Sequence, residues 1–141
     1  MRYEIAVDID AAPQQVWAVL ADVERWPEWT PSMRMVKRLG DGPFASGSRV
    51  RVRQPRLPQA VYTVTEYEPG QAFTWATRFP GITITGGHYV LSREDGHATV
   101  RLTVDQTGLL APLVGLFAAR LTRRYVTQEA DGLKRRCEPA S

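Results

Sequence analysis

The sequence predicts an α+β fold in which a curved antiparallel sheet of seven strands wraps around one long C-terminal helix. Three observations carry this expectation. Seven segments have strand-like patterning and, after the second, are separated by turns too short for parallel crossovers. Two short helical segments follow the first strand. One long apolar stripe at helical spacing ends the pattern, and after six consecutive strands it can bury itself only against the sheet. The 141 residues fit one domain, 1–141, and leave too little chain for two cores of ordinary size.

The elements follow in order. Tyr3, Ile5, Val7 and Ile9 alternate with Glu4, Ala6 and Asp8, the period of a half-buried strand. Asp10 offers an N-cap and Pro13 falls in a first helical turn. Val16, Trp17, Val19 and Leu20 then recur at helical spacing, which predicts a helix over 12–21. Pro27 and Pro31 confine the next helical segment to 24–29. Strands are expected over 33–39, 48–53, 59–68, 71–78, 82–93 and 97–106. Gly40-Asp41-Gly42-Pro43, 55–58, Pro69-Gly70, Pro80-Gly81 and Glu94-Asp95-Gly96 supply the turns. Arg49, Arg51 and Arg53 oppose Val50 and Val52, so one face of the sheet is wet and the other apolar. Leu113, Phe117, Leu121 and Tyr125 lie four apart with Val114 and Ala118 beside them, predicting a helix over 112–134.

Composition excludes several function classes. Hydrophobic residues at 43% and charged residues at 23% suit neither a disordered chain nor a membrane bundle. A net charge of +3 does not imply a nucleic-acid partner. Between 120 and 136, Arg120, Arg123, Arg124, Lys134, Arg135 and Arg136 outnumber Glu129 and Asp131. This is expected to be the solvated face of a helix whose terminal cations complement its dipole. The apolar run 109–119 is about half a bilayer span, so no transmembrane segment is expected. No apolar signal region follows Met1, and the expected compartment is the cytoplasm. The single cysteine, Cys137, permits no internal disulfide. His88 and His97, without a cysteine or carboxylate set around them, give no metal site. There is neither a glycine-rich phosphate loop nor a nucleophile elbow, and no cofactor is expected.

The stretch Ala12-Pro13, Val16-Trp17, Val19-Leu20, Asp22-Val23 and Trp26-Pro27-Glu28-Trp29 resembles the opening signature of the SRPBCC superfamily, particularly its polyketide cyclase/dehydrase-like bacterial members. Glu66-Tyr67-Glu68-Pro69-Gly70, followed by Phe73 and Trp75, resembles the hairpin between that family's middle strands. With the terminal helix, the resemblance covers nearly the whole chain. It implies the START-like helix-grip fold more specifically than it implies an activity, because the superfamily includes lipid carriers, hormone receptors and aromatase/cyclases.

A single helix across a bent sheet seldom fills the concavity, so the expected site is a cavity between the two layers, holding a hydrophobic small molecule such as a lipid, polyketide or aromatic metabolite. Its expected lining is Trp26 and Trp29 at the mouth, with Val50, Val52, Trp75, Phe79, His88 and Val90 from the sheet. Phe117, Leu121 and Tyr125 are expected from the helix. Burying roughly 300 Å² of apolar ligand at about 25 cal/mol per Å² gives about 7 kcal/mol before association losses, which points to micromolar affinity. His88 shares a strand face with Ile84, Gly86 and Val90, where an imidazole orients a ligand, moves a proton or is simply satisfied in the core. Gly86-Gly87 marks a bulge, room for close ligand approach, or a bend that lets the long strand curl around the helix. The alternative to a carrier is an aromatase/cyclase or dehydratase working by general acid/base chemistry in the same cavity, with Arg78, His88, Tyr62, Tyr89 and Tyr125 as the polar groups at hand. An interaction module using the outer sheet face or the basic helix is a third reading. Homodimerisation through the sheet edge or the Trp26-Pro27-Glu28-Trp29 loop is compatible with the sequence.

Overall fold

The computed structural model describes residues 1–139. Strand β1 (Arg2–Ile9) leads to helix α1 (Pro13–Ala21) and a 3₁₀ segment (Val23–Glu28). Then come β2 (Met35–Leu39), β3 (Arg49–Arg53), β4 (Ala60–Glu68), β5 (Ala72–Phe79), β6 (Ile82–Ser92), β7 (Ala98–Thr107) and α2 (Ala111–Cys137). The strands form one antiparallel sheet in the order β1-β7-β6-β5-β4-β3-β2, the helix-grip arrangement expected from the sequence. Alternation decides which side chains enter the core: Ile9, Val50, Val52, Val64, Phe73, Val100 and Leu102 lie buried on the concave face, while Arg49 and Arg53 stay exposed.

Two local expectations change. Asp10 is not the N-cap of α1; Ala12 is, and the Gln15 side chain reaches back to the Ala12 N–H. The Asp10 N–H is instead taken by the Glu138 carboxylate at 2.9 Å, which ties the end of α2 to the β1–α1 link. The register break falls in β4 between Val64 and Glu66, whereas Gly86 and Gly87 pair regularly with both neighbouring strands.

The orientation of α2 positions everything that follows. It packs against β1, β7 and α1, so it leans on one side of the sheet and stands off from β4, β5 and β6. Its C-terminal half is clamped at Gly132, where a Cβ would collide with the Trp29 carbonyl oxygen. Only a residue without a side chain allows that approach.

The buried stripe of α2 differs from the expected one. Buried residues are Ala111, Gly115, Tyr125, Val126, Ala130, Gly132 and Leu133, while Leu113, Leu116 and Phe117 face solvent, Phe117 at 80% exposure. Residues four apart on a helix of 3.6 residues per turn drift by about 40° per step, so a run of four steps off a narrow face. Leu121 and Tyr125 remain on the buried side, and Leu113 and Phe117 rotate away from it.

Candidate functional site

Where α2 stands off the sheet, a cavity of about 130 Å³ remains. Its sheet wall is Tyr62 from β4, Trp75 from β5, Ile84, Gly86, Gly87 and His88 from β6, and Leu102, Thr103, Val104 and Gln106 from β7. The helix wall is Val114, Ala118, Leu121, Thr122, Tyr125, Val126 and Glu129, and Trp26, Met33, Gln54 and Leu57 complete the lining. Leu57 is exposed, so it marks the mouth. The Tyr125 hydroxyl donates to the Pro55 carbonyl, which fastens the loop at this mouth to α2.

An aromatic cluster shapes the inner end. The Trp26 indole N–H donates to the Leu20 carbonyl at 2.9 Å, which fixes the ring's angle as the chain leaves α1. Its ring then lies 5.2 Å from Trp75 and 5.3 Å from His88. Trp75 pairs with Gly86 across β5 and β6, and a Cβ at Gly86 would sit 2.9 Å from the indole nitrogen. The glycine therefore gives the indole a seat against the sheet.

Among these rings stands His88, buried, stacked on Phe73 at 4.3 Å, with its Nδ1 3.1 Å from the Phe73 carbonyl. A carbonyl only accepts, so Nδ1 carries the proton and the neutral ring keeps Nε2 as an acceptor. Burial lowers the pKa to about 4, against the weaker opposing effect of the Phe73 hydrogen bond. The imidazole is thus both a satisfied core group and part of the cavity wall.

Across the cavity, the Glu129 carboxyl accepts from the Ser32 hydroxyl at 3.4 Å, and that hydroxyl is 2.7 Å from the Thr30 hydroxyl. Burial raises the Glu129 pKa to about 8 and the Ser32 contact opposes this only in part, which favours the protonated form at neutral pH. Burial, and then the nearby Glu129, push the Tyr62 hydroxyl well above its ordinary range and keep it neutral. Among the described residues, the Gln106 side-chain oxygen is buried without a partner. A carboxylic acid, a phenol and an imidazole acceptor on otherwise apolar walls can hold a hydroxyl or carbonyl, or move a proton to or from one. Among the described residues, no group of His, Cys, Asp or Glu side chains is arranged to hold a metal ion.

Of the residues expected from the sequence, the fold brings Trp26, Trp75, His88, Leu121 and Tyr125 together on this wall. Val50, Val52 and Val90 are buried in the surrounding core and do not reach it. Phe79, at the end of β5, is half-buried away from the cavity. Trp29 is not at the mouth; it packs behind Trp26 at 5.4 Å and against Gly132. Phe117 points into solvent. Of the further polar groups, Tyr62 lines the cavity, whereas Arg78 and Tyr89 do not.

Glu129 is the main correction. Counted by sequence among the solvated charges of the basic segment, it is half-buried on the cavity wall, while Arg120, Arg123, Arg124, Arg135 and Arg136 are exposed as expected. Its place four residues after Tyr125 and eight after Leu121 was the available signal.

A profile described as "Polyketide cyclase / dehydrase and lipid transport" matches residues 1–138. The chain belongs to that family. Among solved structures, this polyketide cyclase/dehydrase and lipid transport family member is similar to the Zhui aromatase/cyclase from Streptomyces sp. R1128, with a TM-score of 0.78 at 17% identity over 97% of this chain and 93% of that one. It is also similar to a START superfamily protein from Mycobacterium smegmatis, with a TM-score of 0.76 at 14% identity over 96% of each chain. The di-domain aromatase/cyclase BexL of the BE-7585A pathway gives 0.75 at 19% identity over 96% of this chain and 45% of that one. At these identities the likeness shows the fold alone. No curated protein matches the chain. Among the described residues, no helix of this family member is long and apolar enough to cross a membrane.

Proposed function

We propose that the chain binds a hydrophobic small molecule in the cavity under α2. In this reading the ligand's apolar body lies among Trp26, Trp75 and Leu121, and its polar atom meets Glu129, Tyr62 or His88. The observation that carries the proposal is the cavity itself, which persists inside an otherwise packed sheet and helix interface and is walled by large aromatic side chains. Such a space leaves its lining without contacts that a guest can supply. Micromolar affinity is the expectation, since the gain from burying a small apolar body is partly cancelled by association costs. Native mass spectrometry of the purified protein, followed by solvent extraction, tests it. A co-purifying apolar compound that is absent from the Ala118→Phe variant, which fills the cavity, supports the reading. Identical binding by both proteins contradicts it.

One observation favours a second reading. Glu129 and His88 offer a proton donor and a proton acceptor on the walls of the same cavity, as acid/base cyclisation or dehydration requires. Loss of water from a β-hydroxy ketone that stops in Glu129→Gln would support an enzyme, and binding without turnover supports a carrier. A cytoplasmic setting belongs to either proposal, and recovery with the envelope after cell fractionation would contradict it.

A further inference from the structure

We infer, resting on that binding reading, that the cavity selects an uncharged ligand whose enclosed part is one ring bearing a hydroxyl or carbonyl group, and that it rejects carboxylates. Three observations lead there. The first is size. The enclosed space is about 130 Å³, and an apolar cavity of about 150 Å³ accommodates one benzene. Its wall has little room to retreat, because the Trp75 indole already lies against the backbone at Gly86. A fused polycycle is therefore too large for the enclosed part, while a substituent can leave through the mouth at Leu57.

The second observation is charge. Among the described residues the lining contains no Lys, Arg or Asp, and its titratable groups are Glu129 and Tyr125 from α2, Tyr62 from β4 and His88 from β6. None of these is a cation when His88 is neutral. A ligand carboxylate would enter an apolar space without a counter-ion and face the Glu129 carboxyl, so it would have to take up a proton first. The third is hydrogen-bonding capacity. Among the described residues the Gln106 side-chain oxygen is buried without a partner, and His88 uses Nδ1 for its hydrogen bond, which leaves Nε2 as an acceptor. Tyr62 and Glu129 line the same space, and burial favours their protonated, donating forms. A neutral hydroxyl can satisfy both kinds of group; a neutral carbonyl, like an anion, meets only the donors, but it carries no charge into the apolar space.

The test is a fluorescence or calorimetric titration of the intact protein at pH 7 with four probes: 4-methylphenol, acetophenone, benzoate and decanoate. A three-ring alcohol, 9-anthracenemethanol, is added as the size probe. The two neutral single-ring probes are expected to bind at least about tenfold more tightly than either carboxylate, the equivalent of about 1.4 kcal/mol, and more tightly than the three-ring alcohol. Benzoate or decanoate binding as tightly as the phenol overturns the charge selection. The three-ring alcohol binding as tightly overturns the size selection. If none of the five binds, the cavity reading falls and takes this inference with it.

Discussion

Replacing Glu129 with Gln changes stability in a way that depends on pH. The carboxyl has an ordinary pKa of 4.5 when unfolded and about 8 in the fold. Between these values the folded state holds a proton that the unfolded chain has released, so rising pH costs the folded state about 1.4 kcal/mol per pH unit. The ionisation penalty reaches about 3 kcal/mol at pH 7 and about 5 kcal/mol above pH 8. His88 works in the opposite direction. Its pKa falls from 6.5 to about 4, so stability is present above pH 6.5 and is lost as pH falls toward 4. The two slopes cancel between pH 4.5 and 6.5, which predicts a plateau there and a decline of about 2 kcal/mol from 6.5 to 8 from this pair. Glu129→Gln removes the carboxyl's contribution and keeps the imidazole's. Urea denaturation of both proteins at pH 5 and pH 8 isolates the effect, because other titrating groups cancel in the difference. The variant is expected to gain about 4 kcal/mol on wild type between the two pH values. A difference that does not change with pH would refute the placement of this carboxyl inside the wall.

Further expectations follow from single contacts. Gly132→Ala forces a Cβ onto the Trp29 carbonyl oxygen, so α2 must move, and a loss of about 3 kcal/mol or more is expected in chemical denaturation; a neutral result contradicts the clamp. Gly86→Ala pushes the Trp75 indole off its seat, with an expected cost of about 1–3 kcal/mol and a shift in tryptophan emission. Tyr125→Phe removes the hydroxyl held by the Pro55 carbonyl and costs about 1 kcal/mol. Amide exchange at Gln54, Arg56 and Leu57 should quicken, and unchanged protection would show that the loop is held otherwise. An NMR titration of the His88 imidazole is expected to give a midpoint near 4, and a midpoint near 6.5 would contradict its burial.

The strands were legible because two signals agreed: side chains alternate in β1, β3 and β7, and the Gly and Pro positions between strands leave few other ways to turn the chain. The terminal helix was legible as an element but not in its rotation. Spacing by fours pointed to Leu113 and Phe117, whereas the fold turns Ala111 and Gly115 inward; Val114 and Ala118, expected beside the stripe, do line the cavity. Trp26 was legible as a cavity residue through its short motif. Trp29, one turn farther along the 3₁₀ segment, was not separable from it, because only the position of α2 decides which of the two rings faces the hollow. Glu129 was hidden by its company. A glutamate within an arginine-rich helix reads as solvated, and its spacing from Leu121 and Tyr125 is the single sign against that until Ser32, Tyr62 and the helix are assembled around it.

The most direct test of a guest space beneath α2 is an NMR map of the protein with 4-methylphenol added. The side-chain signals of Trp26, Trp75 and His88 should move together and saturate at one shared affinity, while those of Trp17, which does not touch the cavity, hold still. Movement confined to the exposed side of α2 around Leu116 and Phe117 would place the ligand on the surface and contradict the account.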